Sequence, residues 1–275
     1  MRPPRWVFPG AAVFVLASCA LVLSPAEQAH LVATESGMTE FHLPDRRVRA
    51  FVKGVATGSD AKTLTIYVES DGAPWRLRDE PPHDPTPLRP LVLGMAVADR
   101  SRAVAYLGRP CQYLDEASLS HCDPALWTRG RFRTDAVDMM AHAVDALKGA
   151  AGVSVINLVG YSGGGAMAAL LAARRDDVAC LVTIAAPLDT TAWTAALGVS
   201  PLATSLNPLD YAQRLHKVRQ THFRGMRDRV VPPETIQKFI ARVPGALILD
   251  IESFDHECCW ASRWQELLGS SCLNR

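Results

Sequence analysis

The sequence predicts an α/β protein with three layers: a mostly parallel sheet of about eight strands, helices on both faces, and a small cap region. Three observations predict it. Short, near-continuous apolar runs alternate with segments of helical periodicity, as in sheets buried on both faces. A glycine-rich turn, Gly160-Tyr161-Ser162-Gly163-Gly164, joins one such run to a small-residue helix. The 275-residue chain shows no internal repeat and no dividing linker, which suits a leader followed by one domain.

The N-terminus reads as an export segment over residues 1–23, leaving 24–275 for the domain. Met1 to Arg5 is short and basic, and Trp6 to Leu23 is almost wholly apolar, the two parts of a secretory signal. Within it, Leu16-Ala17-Ser18-Cys19 resembles a bacterial lipobox, whose cysteine becomes the lipidated first residue. The expectation is a membrane partner through a lipid anchor at Cys19. Ala20 follows in place of an aspartate, which favours the outer membrane, periplasmic side. A plain cleaved signal and an uncleaved anchor are the alternatives.

The elements then follow in order. Val48–Val55 reads as a strand, and Leu64–Glu69 as a second, β-branched and alternating. Ser70 to Pro74 breaks it. Leu88–Ala98 looks helical after a proline-rich stretch, with Pro85 to Pro87 as its start. Ala103–Leu107 is a short buried strand, and Gly108–Arg133 a loop. Thr134–Lys148 carries Ala136, Val137, Met140, Val144 and Leu147 at helical spacing, with Thr134 as cap and Gly149 as stop. Strand Val153–Val159, helix Ala166–Arg175 and strand Val178–Ala185 follow. Asp189–Tyr211 is mixed and proline-interrupted, the cap. Strand Thr221–Arg224, helix Glu234–Arg242, strand Ala246–Ile251 and helix Trp260–Leu268 close the chain. Seven strands stand out; a further one falls near Phe41 or is absent.

Composition narrows the function. Net charge is +1, and no basic run or aromatic-basic stripe points to nucleic acid. Seven cysteines include Cys19; the remaining six in an exported chain fit disulfides. Cys111 and Cys122 bracket a loop and form the expected pair. Either Cys258 or Cys259 could reach Cys272, with Cys180 a buried free thiol. No pair has zinc-finger spacing, so no structural metal is expected.

The chemistry centres on the glycine-rich turn, which fits G-x-S-x-G between strand and helix. A strand that turns at once into a helix strains the serine and brings the flanking backbones together, so both outer positions are glycine. The Ser162 hydroxyl then projects at the strand's end. The Gly163 amide, at a helix N-terminus, is placed to meet an oxyanion. Asp228 lies in the turn after the 221–224 strand, and His256 between the last strand and last helix. His256 can accept the Ser162 proton on one nitrogen while Asp228 holds the other. Asp255 is the rival acid. The second oxyanion donor falls to the amide of Gly72 or Ala73, since Pro74 has none. Asp71 reads as a turn former, or as a residue orienting the site. Trp75, Tyr161 and Trp193 are candidates for a substrate pocket. Arg109 reads as an ion-pair partner, or as a receptor for a substrate carboxylate.

From Val48 onward the chain resembles the α/β-hydrolase superfamily, and more narrowly a group of proteobacterial α/β-hydrolase lipoproteins. The resemblance rests on Ser-Asp-Gly-Ala-Pro-Trp at 70–75, Tyr-Leu-Gly-Arg-Pro-Cys-Gln-Tyr at 106–113, Gly-Tyr-Ser-Gly-Gly-Gly at 160–165 and His-Glu-Cys-Cys-Trp at 256–260. It implies an eight-stranded sheet, the chain order Ser, Asp, His, and acyl-enzyme chemistry without a cofactor. Many relatives carry His-Gly at the oxyanion loop, where this chain has Ser70-Asp71-Gly72. The expected function is a serine hydrolase acting on the ester of a small-molecule acyl substrate. Peptidase or amidase, acyltransferase, and a non-catalytic binding lipoprotein are the alternatives.

Overall fold

The computed structural model describes residues 23–55, 60–72 and 80–274. Cys19, Ala73 and Trp75, and all but the last residue of the 1–23 leader, lie outside the described residues. Eight strands form one sheet: β1 Thr39–Phe41, β2 Ala50–Lys53, β3 Thr63–Val68, β4 Val104–Leu107, β5 Val155–Tyr161, β6 Val178–Ile184, β7 Arg219–Gly225 and β8 Leu247–Ile251, in the order β1-β2-β4-β3-β5-β6-β7-β8. β2 runs antiparallel to β1 and β4, and every other pairing is parallel. The eighth strand is the one near Phe41.

The helices are α1 Pro25–Glu35, α2 Leu91–Ala98, α3 Glu116–Leu119, α4 Thr134–Ala151, α5 Gly163–Ala172, α6 Thr190–Ala196, α7 Pro208–Tyr211, α8 Gln237–Ala241 and α9 Trp264–Ser270. Alternation along the strands feeds two cores. Leu64, Ile66 and Val68 of β3 join Ala105 and Leu107 of β4 under α4 and α5. Tyr67, Val104 and Tyr106 point the other way, beneath α1, α2 and α9. Large side chains bring their polar tips to partners: Trp264 Nε1 donates to the Tyr67 hydroxyl (2.9 Å), which donates to Asp99 (2.7 Å).

Several boundaries differ from expectation. α2 begins only at Leu91, because Pro90 disfavours helical geometry at Arg89. α4 runs through Gly149, and Gly152, at φ 64°, is the residue that ends it. The closing helix starts at Trp264, since Asp255–Arg263 is spent on turns that present His256. β7 is seven residues long rather than four. α1 was not foreseen, although Ser24-Pro25-Ala26-Glu27 is a capping-box sequence. The Ser24 hydroxyl accepts from the Glu27 amide (3.2 Å), and the Glu27 carboxylate accepts from the Ser24 amide (2.7 Å).

The cysteines divide differently as well. Cys111 pairs with Cys122 as expected. Cys272 pairs with Cys180, not with Cys258 or Cys259, which bond to each other. The physical reason is the path after α9: the chain turns back against β6 and β7, where the Cys272 amide donates to the Thr221 hydroxyl (3.0 Å). That docking delivers Cys272 to the strand carrying Cys180, so Cys180 is not a free thiol.

Candidate active site

Parallel pairing sets the carboxyl ends of β5, β7 and β8 along one rim of the sheet, and Ser162, Asp228 and His256 follow those three strands. Ser162 adopts φ 54° and ψ −127°, a conformation that L residues rarely hold. The glycines around it are sterically required. A Cβ on Gly160 would strike the Gly164 carbonyl, and one on Gly164 would strike the carbonyls of Val68 and Glu69.

The three side chains meet. His256 Nε2 lies 3.1 Å from Ser162 Oγ, and His256 Nδ1 lies 2.8 Å from Asp228 Oδ2. Asp228 is buried, and its other oxygen accepts from the amides of Val230 and Val231, both at 2.8 Å. An ionised carboxylate donates nothing, so Nδ1 carries the imidazole proton and Nε2 presents its lone pair to the serine. Asp255 does not compete. Its Oδ1 accepts from the amides of Glu257 (2.9 Å) and Cys258 (2.8 Å), and those bonds hold its carboxyl below the usual range.

The imidazole is fixed from behind. The His256 carbonyl accepts from the Tyr161 hydroxyl (2.7 Å) and from Trp260 Nε1 (2.9 Å), and the Tyr161 and His256 rings lie 5.2 Å apart. Tyr161 thus lines the cleft and also braces the histidine. Trp260 was not foreseen as a support, although it stands in the His-Glu-Cys-Cys-Trp run.

At the oxyanion side, Gly163 opens α5, and its amide has no helical carbonyl four residues back. Gly72 sits at φ 71°, and its amide points to the Ser70 hydroxyl at 3.4 Å. Between these two glycines lies Asp71, whose carboxylate occupies the space a Gly163 side chain would need. Asp71 receives Arg109 at 2.7 Å and Arg131 at 2.9 Å, and all three are largely buried. Burial alone would raise the Asp71 pKa, but the charges of Arg131 and Arg109 outweigh it and hold the carboxyl below its usual value. Arg109 is therefore an ion-pair partner. Arg131 went unnoticed in the sequence, where nothing marks it among Arg129, Arg131 and Arg133.

The cleft over Ser162 has a volume of about 800 Å³. Gly72, Tyr161, Trp193 and His256 line it, and Trp193 Nε1 is anchored to the Val230 carbonyl (2.7 Å). α6 and the segment after it, in the cap region, line the same cleft as the serine. Among the described residues, no group of three or more His, Cys, Asp or Glu side chains is arranged to hold a metal ion.

Comparison with known proteins agrees with this architecture. The family model described as alpha/beta hydrolase fold matches residues 120–227, which include Ser162 and stop one residue short of Asp228. Among solved structures, Est1E from Butyrivibrio proteoclasticus is 14% identical, with a TM-score of 0.59 over 85% of this chain and 96% of that one. An esterase from Pyrococcus furiosus, Pf2001, is 16% identical, with a TM-score of 0.53 over 85% and 91%. A dienelactone hydrolase, so described with reservation, from Klebsiella pneumoniae is 16% identical, with a TM-score of 0.56 over 85% and 96%. No curated protein matches the sequence. The chain carries the α/β-hydrolase fold. Its similarity to esterases and a dienelactone hydrolase lies in that fold.

Proposed function

We propose that the protein is a serine hydrolase that cleaves carboxylic esters through an acyl-enzyme. The observation that carries this reading is the continuous relay from Ser162 Oγ through His256 to Asp228, at 3.1 and 2.8 Å. His256 Nε2 takes the hydroxyl proton as Ser162 Oγ bonds to the ester carbonyl carbon. The negative charge gathers on the carbonyl oxygen, beside the Gly163 amide and a second donor from Gly72 or Ala73. A donor of this kind contributes about 3–4 kcal/mol to the transition state. The carbon–oxygen bond to the alcohol then breaks, and the alkoxide leaves with the proton from His256. Water repeats the sequence on the acyl-serine, His256 again taking the proton and returning it to Ser162. Asp228 stays ionised throughout and stabilises the imidazolium.

The test is active-site labelling. A fluorophosphonate probe should modify the parent protein and leave Ser162→Ala unmodified. An unlabelled parent removes the enzyme reading, and a labelled Ser162→Ala removes this nucleophile. Faster turnover of peptide anilides than of p-nitrophenyl esters would make the protein a peptidase instead.

We also propose that the chain is exported and lipid-anchored at Cys19, on the strength of the apolar leader and Leu16-Ala17-Ser18-Cys19. Incorporation of a palmitate analogue that is lost in Cys19→Ala would support the anchor; incorporation that persists would remove it.

A further inference from the structure

The cleft over Ser162 is apolar along most of its wall, through Leu88, Leu91, Trp193, Leu197, Val199 and Leu202. One corner differs. There the loop after β3 meets Arg129 and Arg131. Arg131 is nine-tenths buried, with Nε on the Thr128 carbonyl (2.8 Å) and Nη1 on Asp71 (2.9 Å). Its Nη2 has no partner among the described residues. It is not sealed in the interior either, because Arg109 Nε is the one described side-chain nitrogen or oxygen that is both sealed and unpartnered. Arg131 is itself one of the residues that line the cleft.

Arg129 stands beside it, exposed on the same cleft wall. Its main chain is pinned, the carbonyl accepting from the hydroxyls of Ser205 (2.7 Å) and Thr204 (3.3 Å), while its guanidinium has no acidic partner among the described residues. The acids on this cleft are committed elsewhere. Asp71 is shared between two guanidiniums, and Glu257 faces Arg89 at 3.7 Å on the histidine loop. The corner thus carries positive charge that the protein does not neutralise, on the same cleft as the nucleophile and next to apolar surface. A guanidinium with uncommitted N–H groups is suited to receiving an oxyacid group through charge-assisted hydrogen bonds.

We propose that the substrate is an amphiphilic ester that bears an anionic oxyacid group, a carboxylate or a phosphate, and that Arg129 and Arg131 receive this group while the apolar wall receives the remainder. This rests on the serine-hydrolase reading and narrows it to a substrate class. A neutral ester of the same length leaves both guanidiniums unanswered.

The test compares mono-p-nitrophenyl adipate with p-nitrophenyl hexanoate, which matches it in length without the charge. The six-carbon diacid avoids the rapid self-cleavage of shorter hemiesters. In the parent, kcat/KM for the charged ester should exceed that for the neutral one by tenfold or more at low salt. In Arg129→Gln that ratio should fall at least threefold, and Arg129→Lys should restore part of it. A parent that prefers the neutral ester, or a ratio that moves less than threefold in Arg129→Gln, overturns the proposal. A p-nitrophenyl ester of 6-phosphonohexanoate, run in parallel, separates phosphate-like from carboxylate recognition by whichever is turned over faster. Fluorophosphonate labelling of the same preparations keeps the two readings apart. Labelled protein without charge preference removes only the anionic substrate, and unlabelled parent removes the hydrolase reading and this one with it.

Discussion

Replacing Asp71 by asparagine removes the single negative charge between two buried guanidiniums while keeping the shape of the side chain. The structure sets the size of the effect. Asp71 bonds Arg109 at 2.7 Å and Arg131 at 2.9 Å, and the exposed fractions of the three side chains are 11%, 4% and 6%. Removing one partner of a buried pair costs about 3–5 kcal/mol, because the charge left behind is desolvated and unpaired. Here two charges are left, and they repel each other, so the upper end of that range applies. With an m-value of about 3 kcal/mol/M in urea for a domain of this size, the unfolding midpoint should fall by about 1.5 M. Equilibrium unfolding followed by tryptophan fluorescence measures it directly. Converting all three residues together, Asp71→Leu with Arg109→Met and Arg131→Met, should recover most of the loss, since apolar groups of similar volume replace buried ions at little cost. A midpoint for Asp71→Asn within 0.3 M of the parent, taken as about the resolving limit of such a shift, would refute the view that this carboxylate holds the two buried guanidiniums together. The sign with pH follows from its depressed pKa: the stabilisation is present above the ordinary carboxylate range and is lost as pH falls through the folded-state value.

Other outcomes follow from the same geometry. Asp228→Asn should lower kcat/KM for p-nitrophenyl esters by about 10³–10⁴-fold with little change in the unfolding midpoint, because the imidazole loses its tautomer rather than its place; activity within tenfold of the parent would contradict the relay. Replacing Cys180 and Cys272 together by serine opens a loop of 92 residues, and chain entropy alone sets the loss at about 4–5 kcal/mol; urea unfolding of this variant beside the oxidised parent measures the difference, and equal stability would count against the bond. His222 is wholly buried with Nδ1 2.7 Å from the Thr183 hydroxyl, and burial pushes its pKa down to about 3. Its unfolded value is near 6.5, so its contribution is complete above about pH 6.5 and is lost towards pH 3, at up to about 1.4 kcal/mol per pH unit. His222→Asn should flatten the acid limb of the stability curve by about one proton's worth of slope, and an unchanged limb would exclude His222 as its source.

The parts of the fold that the sequence announced are those where chemistry and sterics coincide at one place. Gly160 and Gly164 could be read because a carbonyl stands where each side chain would go. Asp228 and His256 could be read because parallel strands return every connecting turn to one rim. β1, three residues long and barely buried, carries almost no pattern. The Cys180–Cys272 pairing was hidden by distance along the chain: Cys180 reads as one more apolar residue of β6, and only the docking of the chain end on Thr221 selects its partner. Arg131 was hidden for a related reason. Its partner Asp71 lies 60 residues away, and the neighbouring arginines of the same segment look identical until the carboxylate chooses among them. Export, the lipid anchor, and the candidates Cys19, Ala73 and Trp75 fall outside the described residues and stand as sequence expectations.

Because β3 to β8 all run the same way, the opposite rim of the sheet receives the chain only as it enters each strand. Gly152, before β5, and Gly245, before β8, have open space where a side chain would project. A fluorophore or epitope grafted at Gly245 would therefore sit about a strand's length from the rim that carries the cleft. Reporting on the protein and running its chemistry can thus be assigned to different ends of the molecule.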